Sequence, residues 1–469
     1  MTYKLLIDGT LVDSKRRLDV VNPATGSVWV SVPRATAEQA EQAVAAAKRA
    51  QPAWAALPIE RRQQALLALA DAIEAEAEAY ARVIVQEQGK PRAEADLEVV
   101  HACLFLRAFA AMTLEPHVVQ DDAAYRIEVQ HRPLGVVVGI TPWNFPLLIA
   151  TYKLAPALVL GNSFILKPAP TTPVSALLLG QAAAAVTPPG VVNVLVDDND
   201  LGTLLTAHPD VQKVSFTGST ATGRKVMASA AGTLKRLTLE LGGNDAAVVL
   251  DDVDVARIAP GIFGSAFFNA GQVCIAVKRV YAHRSVYGPL SDALATLAHA
   301  AVMGEGLRQD VTLGPVQNAK QYDKARQYME IAHRDGRVVA GGRLPERDGF
   351  FVEPTIVRDI SSSSPLVREE QFAPILPILP FDRLDSVVAE VNAGEYGLGG
   401  SIWSADEAQA TALARRLTSG TIWINHHLHF GPHIPFAGAK QSGLGAEFGR
   451  EGLSEFSQLA VVSLARQAT

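Results

Sequence analysis

The sequence predicts an α/β protein built on two doubly wound parallel sheets, with a small β arm beside them. Three observations carry this. Short apolar runs such as Gly135-Val-Val-Val-Gly-Ile140 alternate with helical segments over residues 135–217, as strands of a parallel sheet buried on both faces do. A second series of the same kind runs from about Ala246 to Asn425. Tyr125-Arg-Ile-Glu-Val-Gln130 instead alternates polar and apolar residues and reads as a half-exposed strand. It is short, as an arm laid on a partner subunit is.

Residues 4–33 read as short strands and turns, with Asp8-Gly9 and Asn22-Pro23 as turn signals. Thr36 opens a helix, with Gln39 three residues on as a capping box. Ala40, Val44 and Ala47 form its apolar face. One long helix is expected over about Glu60–Gln88, because Leu66, Leu69, Ile73, Ala77, Tyr80 and Ile84 recur at helical spacing. Gly89 and Pro91 mark its stop. A third helix, about Ala93–Thr113, carries Cys103. The first series then has strands at Gly135–Ile140, Ser163–Lys167, Val191–Leu195 and Lys213–Phe216, with helices from about Leu147 and over Val174–Ala185. The second has strands at Ala246–Leu250, Arg279–Ala282, Ile375–Leu379 and Gly420–Ile424. Leu239–Gly243 is the expected boundary between them, and Leu459–Leu464 reads as an edge strand.

Composition narrows the function. The 469 residues correspond to two to four domains at about 100–200 residues each, or to one large α/β body with extensions. With 48% hydrophobic and 19% charged residues, a mainly disordered chain is excluded. Two cysteines, Cys103 and Cys274, exclude a disulfide scaffold or thiolate cluster and fit a reducing compartment. A net charge of −6 gives no basic footprint for nucleic acid. The most apolar stretch, Pro146–Leu160, contains Lys153 and Pro156 and is too short for a bilayer. The opening residues turn polar too soon for a signal peptide. A soluble cytoplasmic protein, without membrane or nucleic-acid partners, is expected.

Five motifs carry chemistry. In Thr141-Pro-Trp-Asn-Phe-Pro146, two prolines fix the loop around Asn144, and a fixed amide N–H is a good oxyanion donor; a rigid aromatic turn is the alternative. Lys167-Pro168 ends a strand, where ligands bind in parallel sheets. Ser215-Phe-Thr-Gly-Ser-Thr-Ala-Thr-Gly223 follows a strand and opens a helix whose N–H groups and hydroxyls suit a pyrophosphate, although the spacing is not GxGxxG and a structural turn is the alternative. In Leu239-Glu-Leu-Gly-Gly-Asn244, a desolvated glutamate can act as a general base or merely pair near a hinge. Gly271-Gln-Val-Cys274 presents a cysteine after a turn, and a lone cysteine is more often a small buried hydrophobe.

In this order, Trp143-Asn-Phe-Pro146, Lys167-Pro168, Phe216-Thr-Gly-Ser219, Glu240-Leu-Gly-Gly243 and Gly271-Gln-Val-Cys274 resemble the NAD(P)-dependent aldehyde dehydrogenase superfamily. Glu370-Gln-Phe-Ala-Pro374, Tyr396-Gly-Leu398 and Pro435-Phe-Ala-Gly-Ala-Lys-Gln-Ser-Gly443 extend the likeness over essentially the whole chain.

The resemblance implies an aldehyde dehydrogenase-like fold. Residues 1–114 and 135–241 would form a Rossmann-like cofactor domain and 242–441 a catalytic domain. Residues 115–134 and 455–469 would form an arm for a homodimer or homotetramer. It also implies roles. Cys274 is the nucleophile that forms a thiohemiacetal, then a thioester once hydride has passed to the nicotinamide. Asn144 and the Cys274 N–H hold the oxyanion, and Glu240 activates the hydrolytic water. Lys153 and Glu447 relay protons. Lys167 meets the adenosine ribose, Gly218 and Ser219 the pyrophosphate, and Glu370 the nicotinamide ribose, with Phe372, Ile140, Trp143 and Leu241 around the cofactor. Glu240 favours hydrolysis over CoA acylation, which is one rival; a catalytically silent structural or binding protein on the same fold is another.

NAD is the expected cofactor and NADP the second option, because Pro170 stands where many NAD-using members carry a ribose-binding glutamate. Ala373 and Ala437 replace usual glycines. The substrate tunnel is expected between Trp143, Leu148, Ile149, Tyr152, Val273, Ile275, Phe430 and Phe436, which points to an apolar or aromatic aldehyde. His426, His427, His429 and His433 cluster nearby. No carboxylate or cysteine completes a zinc set, so no metal is expected, and His429 is placed at the tunnel mouth, touching substrate.

Overall fold

Two sheets and an arm organise the chain in the computed structural model, which describes residues 3–466. The strands are, in order, β1 Leu5–Ile7, β2 Thr10–Val12, β3 Arg17–Asn22, β4 Ser27–Pro33, β5 His117–Asp121, β6 Tyr125–Pro133, β7 Val136–Ile140, β8 Ser163–Lys167, β9 Val192–Val194, β10 Val211–Thr217 and β11 Arg236–Glu240. They continue with β12 Asp245–Val249, β13 Val277–His283, β14 Arg337–Ala340, β15 Thr355–Arg358, β16 Ile375–Phe381, β17 Tyr396–Gly397, β18 Gly399–Trp403, β19 Thr421–Ile424, β20 Ala439–Lys440, β21 Gly443–Leu444 and β22 Ser457–Ala465.

The first sheet has the order β2-β1-β9-β8-β7-β10-β11-β21. Its centre, β9 to β11, is parallel, and every residue of β7 and β8 is buried. Runs such as Val-Val-Val therefore need no polar alternation. The second sheet, β14-β15-β16-β13-β12-β18-β19, is parallel except at β14. Here the period-2 rule is visible in the packing. Ala246, Val248 and Leu250 enter the core on one face, and Ala247 and Val249 the core on the other. The chain crosses between sheets over residues 241–244, and β21 brings it back to pair antiparallel with β11. A third sheet, β22-β6-β5, forms the arm. The last three residues assigned to it, 467–469, lie outside the described residues.

The Thr36 capping box is present, with Gln39 N–H on Thr36 Oγ1 at 3.2 Å. The single helix expected over residues 60–88 is two, Ile59–Ala75 and Ala77–Gln88. Glu76 leaves the helical region at ψ 22° without any glycine or proline to announce it; the apolar periodicity runs through the break. Gly89 ends the second helix in the left-handed conformation, φ 96°. β5, β14, β15 and β18, and the two-residue β17, β20 and β21, were not expected. β5 is wholly exposed and so lacks an apolar pattern, while β18, Gly-Gly-Ser-Ile-Trp, hides its strand character behind two glycines. No helix among the described residues is long and apolar enough to cross a membrane.

Candidate active site

The carboxyl ends of β7, β8, β10 and β11 lie in one row. Ile140 is opposite Lys167 on one side and Phe216 on the other, and Thr217 is opposite Glu240. Strand order reverses between β7 and β10, and at such a switch point a ligand crevice opens. Ile140, Lys167, Gly218, Ser219, Glu240 and Leu241 thus reach one sheet edge. Ser219 caps helix Thr220–Ala230, accepting from the Thr222 N–H. The free N–H groups of that first turn lie at the same edge.

In the turn after Glu240, Gly243 is closed in by backbone and Gly242 by a side-chain carboxylate. A Cβ on Gly242 would sit 2.5 Å from Glu370 Oε2, and one on Gly243 would sit 2.5 Å from the Cys274 carbonyl oxygen. The Gly243 N–H donates to Glu370 Oε1 at 2.9 Å. Phe372, two residues on, meets Trp143 edge to face with ring centroids 5.4 Å apart.

Cys274 follows a strained turn. Asn269, Ala270 and Gly271 succeed one another at φ 51°, 53° and 73°, and the left-handed region costs a non-glycine residue roughly 1–2 kcal/mol. Hydrogen bonds hold the turn there. Asn269 Nδ2 donates to the Asn144 carbonyl at 3.0 Å, and Gln272 Nε2 to the Asn269 carbonyl at 2.9 Å. The Asn269 N–H donates to Glu94 Oε2 at 3.0 Å. Asn144 is tied into the same loop, its Nδ2 donating to the Gln272 carbonyl at 2.9 Å. The Asn144 carbonyl also accepts from Lys90 Nζ at 2.9 Å. Lys90 forms a buried ion pair with Glu98 at 2.5 Å, and Glu98 Oε1 accepts the N–H groups of Leu147 and Leu148. The loop that presents Asn144 is thus pinned from behind by a buried pair and a helix start.

Glu240 is buried beside Cys274. Burial pushes its pKa up to about 7; the Glu447 charge acts the same way, and the Cys274 thiol and Lys153 oppose it. Burial, then the Glu240 charge, push the Cys274 thiol well up, while Lys278 pulls it down. In the resting site the thiol keeps its proton, and Glu240 is the neighbouring group able to take it near neutrality. Behind Glu240, Lys153 Nζ lies 2.5 Å from Glu447 Oε1 and 2.9 Å from Ser215 Oγ.

Asn144, Glu240 and Cys274 open onto one cavity of about 420 Å³. Leu148, Ile149, Tyr152, Val273, Ile275, Phe430 and Phe436 line it, as expected for the tunnel, and Phe448 joins them. Two expectations fail. Trp143 does not line the cavity; its ring packs on Phe372, on the side of Glu370. His429 does not line it either. It is exposed, and its carbonyl accepts from Trp423 Nε1 at 2.7 Å. After Ile424 the chain turns through left-handed Asn425 and Leu428, so His427 faces inward and His426 and His429 outward. His427 lines the cavity, with Nε2 2.7 Å from the Ile275 carbonyl oxygen, and burial lowers its pKa to about 3, which keeps it neutral. Alternation along an irregular loop cannot be read from spacing.

Lys90, Glu98, Asn269 and Gln272 were missed as site residues. The legible signal was Glu94 and Glu98, one helical turn apart on a helix face that also buries Ala95, Ala102 and Phe105. Charges placed so deep need partners. His429→Ala is therefore expected to leave KM unchanged across an aldehyde panel, whereas Phe430→Ala should raise KM for aromatic aldehydes by about tenfold, as the loss of one apolar wall does. Steady-state kinetics on the two variants checks both.

Residues 11–462 match the aldehyde dehydrogenase family. The chain is 38% identical over 475 residues to a phenylacetaldehyde dehydrogenase from Pseudomonas fluorescens, covering 97% of this chain and 95% of that one. A crystal structure described as an E. coli NADP dependent enzyme superposes with a TM-score of 0.96 at 35% identity, covering 99% and 98% of the two chains. Betaine aldehyde dehydrogenase from Staphylococcus aureus, in complex with NAD+, superposes with a TM-score of 0.96 at 31% identity over 100% and 96%.

Proposed function

This chain belongs to the aldehyde dehydrogenase family, and from that premise we propose that it oxidises an apolar or aromatic aldehyde to the free acid with NAD(P), through a thioester on Cys274. The observation that carries the reading is the meeting of Cys274, Asn144 and Glu240 on the wall of one apolar cavity. The row of strand ends, the helix start at Ser219 and the Gly242–Glu370 approach fit a dinucleotide along the adjoining edge. Bound there, the nicotinamide supplies the hydride acceptor.

The Cys274 proton passes to Glu240, and sulfur attacks the aldehyde carbon. The carbonyl oxygen becomes an oxyanion held by Asn144 Nδ2 and the Cys274 N–H. Loss of hydride from that carbon leaves the thioester. Glu240, once it has given the Cys274 proton up through Lys153 and Glu447, takes a proton from water as it attacks, and the C–S bond breaks to release the acid and the Cys274 thiolate. Lys153 and Glu447 pass the proton on and reset Glu240.

Glu240 favours this hydrolytic outcome over transfer to CoA. Retention of all three groups argues against a silent protein on this fold, which would need none of them. The phenylacetaldehyde dehydrogenase relative supports the aromatic substrate class. The arm supports assembly into a homodimer or homotetramer, since β5 and β22 leave Val119 and Val461 57% and 59% exposed; the cytoplasm is its proposed location. An aldehyde panel read by NADH absorbance, with and without CoA, tests the reading. Acid formation independent of CoA is expected. Acyl-CoA as the product, or no turnover with any aldehyde, would overturn it.

A further inference from the structure

We propose that Asp197 makes this site select NAD over NADP, a reading that rests on the dinucleotide site proposed at this sheet edge. Lys167 ends β8, and the parallel neighbour β9 runs on through Leu195 and Val196 to Asp197. Lys167 Nζ lies 2.6 Å from Asp197 Oδ1, with the two side chains only 4% and 0% exposed. Asp197 Oδ2 accepts the Leu201 N–H at 2.9 Å, which fixes the carboxylate in place. Asn199 Oδ1 stands 3.4 Å from the same ammonium.

The arginines that flank the Asp197–Asp200 turn are paired. Arg34 pairs with Asp200 at 2.7 Å and Asp198 at 3.5 Å, and Arg16 pairs with Asp200 at 3.0 Å. Pro170 presents no carboxylate on the Lys167 loop. The negative charge absent there is supplied from the next strand. A ribose 2′-hydroxyl can accept from Lys167, whose ammonium is held from behind by the fully buried Asp197. A 2′-phosphate would meet an ammonium already neutralised by the carboxylate just behind it, and the like charge of that carboxylate disfavours binding.

The test is equilibrium binding to the whole, unliganded protein, followed by intrinsic tryptophan fluorescence or calorimetry. NAD is expected to bind at least about tenfold more tightly than NADP. ADP is expected to displace NAD better than adenosine 2′,5′-bisphosphate by a similar factor. Asp197→Asn keeps an oxygen for the Leu201 N–H and removes the charge. It should bring the NAD-to-NADP affinity ratio close to one, mainly by strengthening NADP. The fragment comparison on the unaltered protein keeps the proposal testable should that variant not fold. NADP binding as tightly as NAD, or a ratio unchanged in Asp197→Asn, would overturn the role of Asp197 while leaving the dinucleotide site standing. Binding of neither dinucleotide would remove the site reading itself, and this proposal with it.

Discussion

Cys274→Ala is expected to abolish aldehyde-dependent NADH formation, lowering kcat by about 10⁴-fold or more, as loss of a covalent nucleophile does. The side chain removed is small and borders a cavity rather than filling one. The thermal transition should therefore stay close to that of the unaltered protein, measured by circular dichroism. Cys103 is the control. It is buried in helix Arg92–Ala110, its thiol donates to the Ala70 carbonyl at 3.5 Å, and burial pushes it up to about 11. Cys103→Ala should keep full turnover. Unchanged NADH formation in Cys274→Ala would remove the covalent mechanism.

Glu240→Gln separates the two half-reactions. The nucleophile and the Asn144 donor remain. The Cys274 proton must now pass to water, eased by loss of the Glu240 charge that holds the thiol up. The first turnover should therefore still release up to one NADH per subunit, more slowly than in the unaltered protein. Hydrolysis then lacks its base, and the steady-state rate should fall by roughly 10²–10⁴-fold. Stopped-flow absorbance would show a burst followed by a nearly flat line. The pH dependence follows from the same group. Glu240 acts as a base only when ionised, and its pKa lies at about 7. Where hydrolysis limits turnover, kcat of the unaltered protein should rise as pH increases through about 7 and level off above it. In Glu240→Gln that limb should vanish. A limb that persists would assign the base elsewhere.

Much of this site was legible because its chemistry rests on short, rigid local signals. Pro142 and Pro146 frame Asn144. Gly243 is required because the Cys274 backbone carbonyl comes too close for any Cβ, and Gly242 leaves room for the Glu370 carboxylate against the same turn. Strand ends are recognisable as apolar runs that stop at Lys167 and Glu240, and the register then lines them up across the sheet. What was not legible depends on contacts between distant segments. The Lys90–Glu98 pair reaches the Asn144 loop across 54 residues, and its purpose appears only once helix Arg92–Ala110 packs behind that loop. Asp197 looks like one acid in Asp197-Asp-Asn-Asp200 until β9 is seen beside β8. The inward turn of His427 rather than His429 is set by positive φ at Asn425 and Leu428, neither of them glycine. The break at Glu76 has no residue signature, and the apolar stripe runs past it.

The central claim is that the aldehyde carbon becomes covalently attached to Cys274 and is released by water through Glu240. It is tested most directly by acid-quenching Glu240→Gln after one turnover with NAD and an aromatic aldehyde, then measuring intact and peptide masses. One acyl group per chain, located on Cys274 and absent from Cys274→Ala, is the predicted result. NADH released in the first turnover with no acyl mass on Cys274 would contradict it.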